Sequence, residues 1–252
     1  MNGAFYIGAT GLDAEQRALD VVANNIANIN TVGFKRSSAQ FSALLGSDAP
    51  QSLDPSGSQP LLGVGVDTSA IDFSQGQITQ TGQALNLAIS GTGFIELLGP
   101  AGQTQLWRGG VLEINSDGLL AASNGTPLKA MISVPSDASA VTINADGSVI
   151  AVGGGSNGKL IGQIDLVQDK NLSALTPISG GFYVPGSPND LTSAAPGVDG
   201  GGVLQQGALE TSNVDLSNEM VTLLLLQRAY TANAQAVQAG DQLMAIANGL
   251  RR

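Results

Sequence analysis

The residues able to do chemistry in this chain are its 20 carboxylates, because it has no His and no Cys. Without Cys there is no thiol nucleophile, no disulfide and no Cys-ligated zinc. Without His the commonest general base and metal ligand is missing. A carboxylate pair of the glycosidase kind needs two acids facing one bond, but the Asp and Glu here are dispersed and belong to no nucleophile motif. Two segments, Asn115-Ser116-Asp117-Gly118 and Asn144-Ala145-Asp146-Gly147, place an acid in a turn. A calcium loop needs acids at alternating positions and a closing Glu, and neither copy has them; Asp-Gly instead supplies the positive φ of a β-hairpin turn. Ser90-Gly91-Thr92-Gly93-Phe94 contains Gly-x-Gly but lacks the third Gly and the following helix of a phosphate cradle, so it reads as a strand turn. The expectation is a protein that is not an enzyme, with no cofactor and no metal.

Charge narrows the partners. The chain of 252 residues carries a formal charge of −10, with no Lys or Arg between Arg36 and Arg108. Nucleic acid requires a basic stripe, and an anionic bilayer would repel this surface. The opening MNGAFYIGATGLDAEQ has neither the basic region nor the apolar region of a cleaved signal. No apolar run approaches the roughly 20 residues of a spanning helix, so no membrane insertion is expected. By these rules alone the chain would sit in the cytoplasm.

The elements that position these residues fall in a symmetrical order. A first helix is expected over about residues 4–29, with Phe5, Leu12, Leu19 and Ile26 recurring every seven residues and Val22 and Ile29 beside them. Gly8 and Glu15 interrupt that stripe, and Gly33 can stop the helix. A second is expected from about Leu216 to Leu250, with Leu216, Leu223, Tyr230, Val237 and Met244 in an unbroken seven-residue series widened by Met220, Leu226, Ala234 and Ala247. Asp215 or Ser217 would cap it. Between them, short apolar runs punctuated by Gly read as β. Residues 46–66, rich in Ser, Pro, Gly and Asp, read as an extended linker.

The fold class predicted is therefore α+β: paired terminal helices of coiled-coil type and a central mainly-β domain joined by extended linkers. The division expected is 1–32 with 214–252 as the helical domain, 33–80 with 203–213 as linker, and 81–202 as the β-rich domain. The second helix has only Glu219, Arg228 and Asp241 as charges between Leu216 and Gly249; the rest is largely apolar, small or amide. A lone solvated helix normally shows a charged face. Neutral faces suit a helix surrounded by others, so assembly through Leu12, Leu19, Val22, Ile26, Leu216, Met220, Leu223, Tyr230, Val237 and Met244 is expected.

Four stretches also carry a family likeness. Ala23-Asn24-Asn25-Ile26-Ala27-Asn28, continuing through Ile29-Asn30-Thr31-Val32-Gly33-Phe34-Lys35-Arg36, resembles the N-terminal signature of bacterial flagellar rod and hook proteins. GALETSNVDLSNEM, residues 207–220, and Gln227-Arg228-Ala229-Tyr230 resemble the entry and body of that family's C-terminal helix. FSQGQITQTGQALNLAISGTGF, residues 73–94, resembles its entry into the β domain. The pattern looks most like the distal segment of the rod; a short linker at 45–63 and Trp107-Arg108-Gly109-Gly110, where the family pattern is Tyr-Thr-Arg-Asp-Gly, leave a proximal rod or hook-type subunit as the alternative. The resemblance implies a homopolymer that meets other rod proteins, the hook protein and the P- and L-ring bushing. It also implies type III export without signal cleavage and a working place in the periplasm-spanning basal body, which replaces the cytoplasmic expectation. The rival from another class is a non-flagellar β-domain binding module with a private helical hairpin.

Overall fold

Helices open and close the described chain, and β-structure fills the interval. The computed structural model describes residues 2–45, 61–153, 156–178, 180–198 and 201–249. The first helix, α1, spans Asn2–Ala27. Two strands follow, β1 (Ser37–Leu45) and β2 (Leu61–Ile71), and the second helix, α2, spans Leu216–Gly249. Asp215 caps α2 as expected: its carboxylate accepts from the amides of Ser217 at 2.8 Å and Asn218 at 3.3 Å. No helix among the described residues is long and apolar enough to cross a membrane.

The chain divides into two compact units. The first holds residues 1–27, 36–72 and 214–252. In it α1 packs on α2, and the β1–β2 ribbon packs on α1. β1 and β2 are antiparallel, with Ser37 opposite Ile71 and Phe41 opposite Val66. Sequence reading treats 33–80 as linker. The structure finds a paired ribbon in much of it; β1, SSAQFSALL, is rich in small residues and shows little of the period-2 alternation that marks a strand. The Pro-rich core of the expected linker, with Pro50, Pro55 and Pro60, lies outside the described residues.

The second unit holds residues 28–35 and 73–213. Its largest sheet has six antiparallel strands, in the order 176–178, 182–184, 104–107, 94–98, 166–169 and 191–194. A four-stranded sheet orders 203–206, 86–90, 109–114 and 120–122; a three-stranded one orders 156–163, 148–153 and 138–143. Both Asp-Gly segments are hairpin turns: Gly118 donates to the Asn115 carbonyl and Gly147 to that of Asn144, each at 3.0 Å, with φ of 73° and 86°. The core gathers Leu87, Ile89, Ile95, Leu112, Val149 and Ile164. Aliphatic residues dominate it, as the low aromatic content requires, and Trp107 stacks on Phe182 at 6.2 Å within it.

Candidate assembly interface

The helix seam of the first unit is built on small residues. On α1, Ala14, Ala18, Val22 and Asn25 are buried, a line at the 3.6-residue helical period. Gly8 and Gly11 continue it: a methyl added at Gly8 would lie 2.5 Å from Val237 Cγ2, and one at Gly11 3.2 Å from the Asn233 amide nitrogen. The helices run antiparallel, since Asn25 meets Glu219 while Gly8 meets Val237. Small side chains let two backbones approach closely, so the packed line follows them and not the bulkiest residues.

This shifts the predicted seam. Of the expected residues, Val22 is buried, while Leu12, Leu19 and Ile26 are half-buried at the edges of the packed line. Leu223 and Val237 are half-buried on α2. Leu216, Met220 and Tyr230 are exposed, and the Met244 side chain lies outside the description. Gly8 and Glu15, which look like interruptions in a heptad stripe, stand on the seam itself. The heptad misleads because a straight helix drifts from a seven-residue repeat, by about 20° per heptad.

Polar groups fix the seam's register. Glu15 accepts from the Asn233 side-chain amide at 2.8 Å. At the other end, Glu219 is wholly buried, accepts from the Asn25 amide at 3.3 Å and pairs with the Arg36 guanidinium. Asn25 also bonds both ways with Ser37, donating to its carbonyl at 2.7 Å and accepting from its N–H at 3.0 Å. One asparagine therefore ties α1, α2 and the start of β1. Gly8→Leu should overpack the opposite end by about 1–3 kcal/mol. The helical circular-dichroism signal of the isolated chain should then melt earlier while Trp107 emission, which reports on the β-rich unit, keeps its transition. An unchanged helical melt would mean that the helices do not approach closely at Gly8.

The β-rich unit has its own buried charge cluster. Glu210 pairs with Lys35 at 2.6 Å and Arg108 at 3.1 Å, and all three side chains are at most 5% exposed. Each of the three also bonds to the backbone. Glu210 accepts from the Gly76 N–H at 2.8 Å, and Lys35 donates to the Ser74 carbonyl at 2.7 Å. Arg108 donates to the carbonyls of Gly93 and Gly91 and lies over the Phe94 ring, 5.9 Å from its centroid. Phe73 and Tyr183 pack edge-on to Phe94. Burial pushes the Tyr183 hydroxyl above the ordinary phenol range, so it stays neutral. Sequence reasoning missed this cluster because positions 35, 108 and 210 are far apart in the chain, with no spacing to recognise. Each nevertheless sits in a motif quoted above: Lys35 is the next-to-last residue of the N-terminal signature, Arg108 follows Trp107, and Glu210 belongs to Gly207–Met220.

The remaining feature is what α2 leaves uncovered. Met220, Val221, Leu224, Leu225, Leu243 and Ile246 are all more than half exposed, with Leu225 at 60% and Leu243 at 67%. Together they form an apolar surface on one helix.

Comparison with known proteins gives the family. A family model described as "Flagella basal body rod protein" matches residues 5–35, one for the "Flagellar hook protein FlgE/F/G D1 domain" matches 88–151, and one for the "Flagellar basal body rod FlgEFG protein C-terminal" matches 205–250. The chain is 34% identical over 256 residues to the flagellar basal-body rod protein FlgG of Buchnera aphidicola subsp. Acyrthosiphon pisum, covering 96% of each. It is 34% identical over 265 residues to FlgG of Borreliella burgdorferi, covering 100% of each. FlgF of Caulobacter vibrioides matches at 33% over 249 residues, 96% of this chain and 95% of that protein.

Proposed function

The chain belongs to the flagellar basal-body rod protein family, and on that premise we propose that it builds the distal segment of the rod, self-assembling into a helical tube that carries torque to the hook. It is a structural subunit, and the reading gives it no catalytic step. The observation that supports assembly most strongly is the uncovered apolar face of α2. Residues 1–32 and 214–252 would form the tube wall, packing in coiled-coil fashion once neighbours arrive. Residues 81–202 would form the outer layer, and the intervening stretches would line the contacts between subunits. Its neighbours would be further copies, other rod proteins, the hook protein and the P- and L-ring bushing. It would reach the periplasm-spanning basal body through the flagellar type III apparatus without cleavage. A place in another rod segment is the second reading, favoured by the full-length similarity to a FlgF protein.

Deleting the gene and imaging purified basal bodies tests this. The expected result is a rod that stops short, with no hook beyond it, restored by the full chain. Complete basal bodies in the deletion strain would exclude a rod function, and a stop nearer the inner membrane would assign the other segment.

A further inference from the structure

Counting the charges of the helical unit leaves one cation without a partner among its described residues. Arg17 pairs with Asp13 at 3.0 Å, and Arg36 pairs with buried Glu219. Arg228 is exposed, and among the described residues its guanidinium has no hydrogen bond or ion pair. Its position is distinctive. It stands nine residues from both Glu219 and Val237, which face α1; at about 100° per residue that is half a turn away from the seam. Arg228 is thus a single charge at the centre of the uncovered face, with Val221, Leu224 and Leu225 before it and Leu243 and Ile246 beyond.

The back of α1 offers the complement. Asp13 is already paired with Arg17, and Glu15 lies in the seam. Asp20 is exposed, accepts among the described residues only from the Gln16 amide at 3.3 Å, and lies two residues from both buried Ala18 and buried Val22. It therefore points about 200° from the seam.

We propose that Arg228 of one copy pairs with Asp20 of the next, and that this ion pair sets the register of the polymer. The proposal rests on the assembly reading above. An apolar face alone holds neighbours without fixing their offset, whereas a charge drawn into it must meet its counterpart or lose several kcal/mol. Asp20 is exposed on α1, which also carries the β1–β2 ribbon, and Arg228 is on the outer face of α2; the two surfaces differ, so their union is heterologous: each copy uses a different face from its neighbour, and the contact repeats without closing into a dimer. The offset follows from the shared level of Asn25 and Glu219. Asp20 lies five residues from it along α1 and Arg228 nine along α2, so a neighbour shifted by about 6 Å brings them level.

Charge exchange in cells lacking the native gene tests the pair. Arg228→Asp should reduce swimming to the non-motile background, Arg228→Lys should retain most of it, and Arg228→Asp with Asp20→Arg should restore it. Circular dichroism of each purified chain should match the parent, which separates assembly from folding. The absence of native Cys permits an independent check. Chains carrying only Arg228→Cys and chains carrying only Asp20→Cys, expressed together, should yield a disulfide-linked pair in basal bodies, and neither alone should. No cross-link and no rescue would overturn the pairing, as would rescue by Asp241→Arg instead. If Leu225→Asp stops rod growth in the same strain while the exchange fails, the assembly reading stands and this pairing falls. If Leu225→Asp is also harmless, the assembly reading falls with it.

Discussion

Glu210→Ala should destabilise the β-rich unit by about 3–5 kcal/mol, a large part of the 5–15 kcal/mol typical of a domain. The substitution removes the one anion that Lys35 and Arg108 share, and leaves both cations in an interior where neither reaches bulk water. It also strands the Gly76 N–H. The effect is read from the chain's single Trp, because Trp107 is buried in this unit against Phe182. Urea unfolding followed by its emission should show a lower midpoint with an unchanged slope. Glu210→Gln should lose nearly as much, since shape is kept and charge is not. An unfolding free energy within about 0.5 kcal/mol of the parent's for both variants would show that the cluster does not hold the unit together.

Leu225→Asp should have the opposite profile: nearly silent in the isolated chain and severe in the assembly. Leu225 is 60% exposed, so a carboxylate there is solvated, and stability should move by no more than about 0.5 kcal/mol. In a polymer the same group is buried without a partner, at several kcal/mol per subunit, repeated at every copy. Leu223→Asp, the choice from heptad position, should also stop assembly and spare the β-rich unit. Leu223 is half-buried toward α1, however, so its substitution loosens the subunit as well. Swimming and electron microscopy of basal bodies decide the matter. Wild-type rods from Leu225→Asp would remove the outer face of α2 from the interface.

Much of this was legible in the sequence. The helix at each end, the Asp215 cap and the two Asp-Gly hairpins follow from periodicity and turn chemistry, and the terminal signatures point to the family. Three things did not show. The seam runs through Gly8, Gly11, Ala14 and Ala18, which a search for large apolar residues passes over, because close approach is signalled by missing volume. The β1–β2 ribbon escapes notice because β1 is made largely of Ser and Ala, with little alternation to read. The Lys35–Glu210–Arg108 cluster has no spacing to recognise, since only the folded sheet order brings positions 35, 108 and 210 together. Charge is scarce in this chain, so each buried ion was itself a clue, legible only after burial was known.

Lys35 and Arg36 are consecutive, yet they anchor in different units: Lys35 on Glu210, Arg36 on Glu219. Only one trans peptide, about 3.8 Å from Cα to Cα, separates the two anchors. Between most domains a linker holds slack that a pull must first draw out. Here there is none on this strand of the connection. A residue inserted between Lys35 and Arg36 would therefore find no spare chain to take it up, and one of the two buried pairs would have to give way.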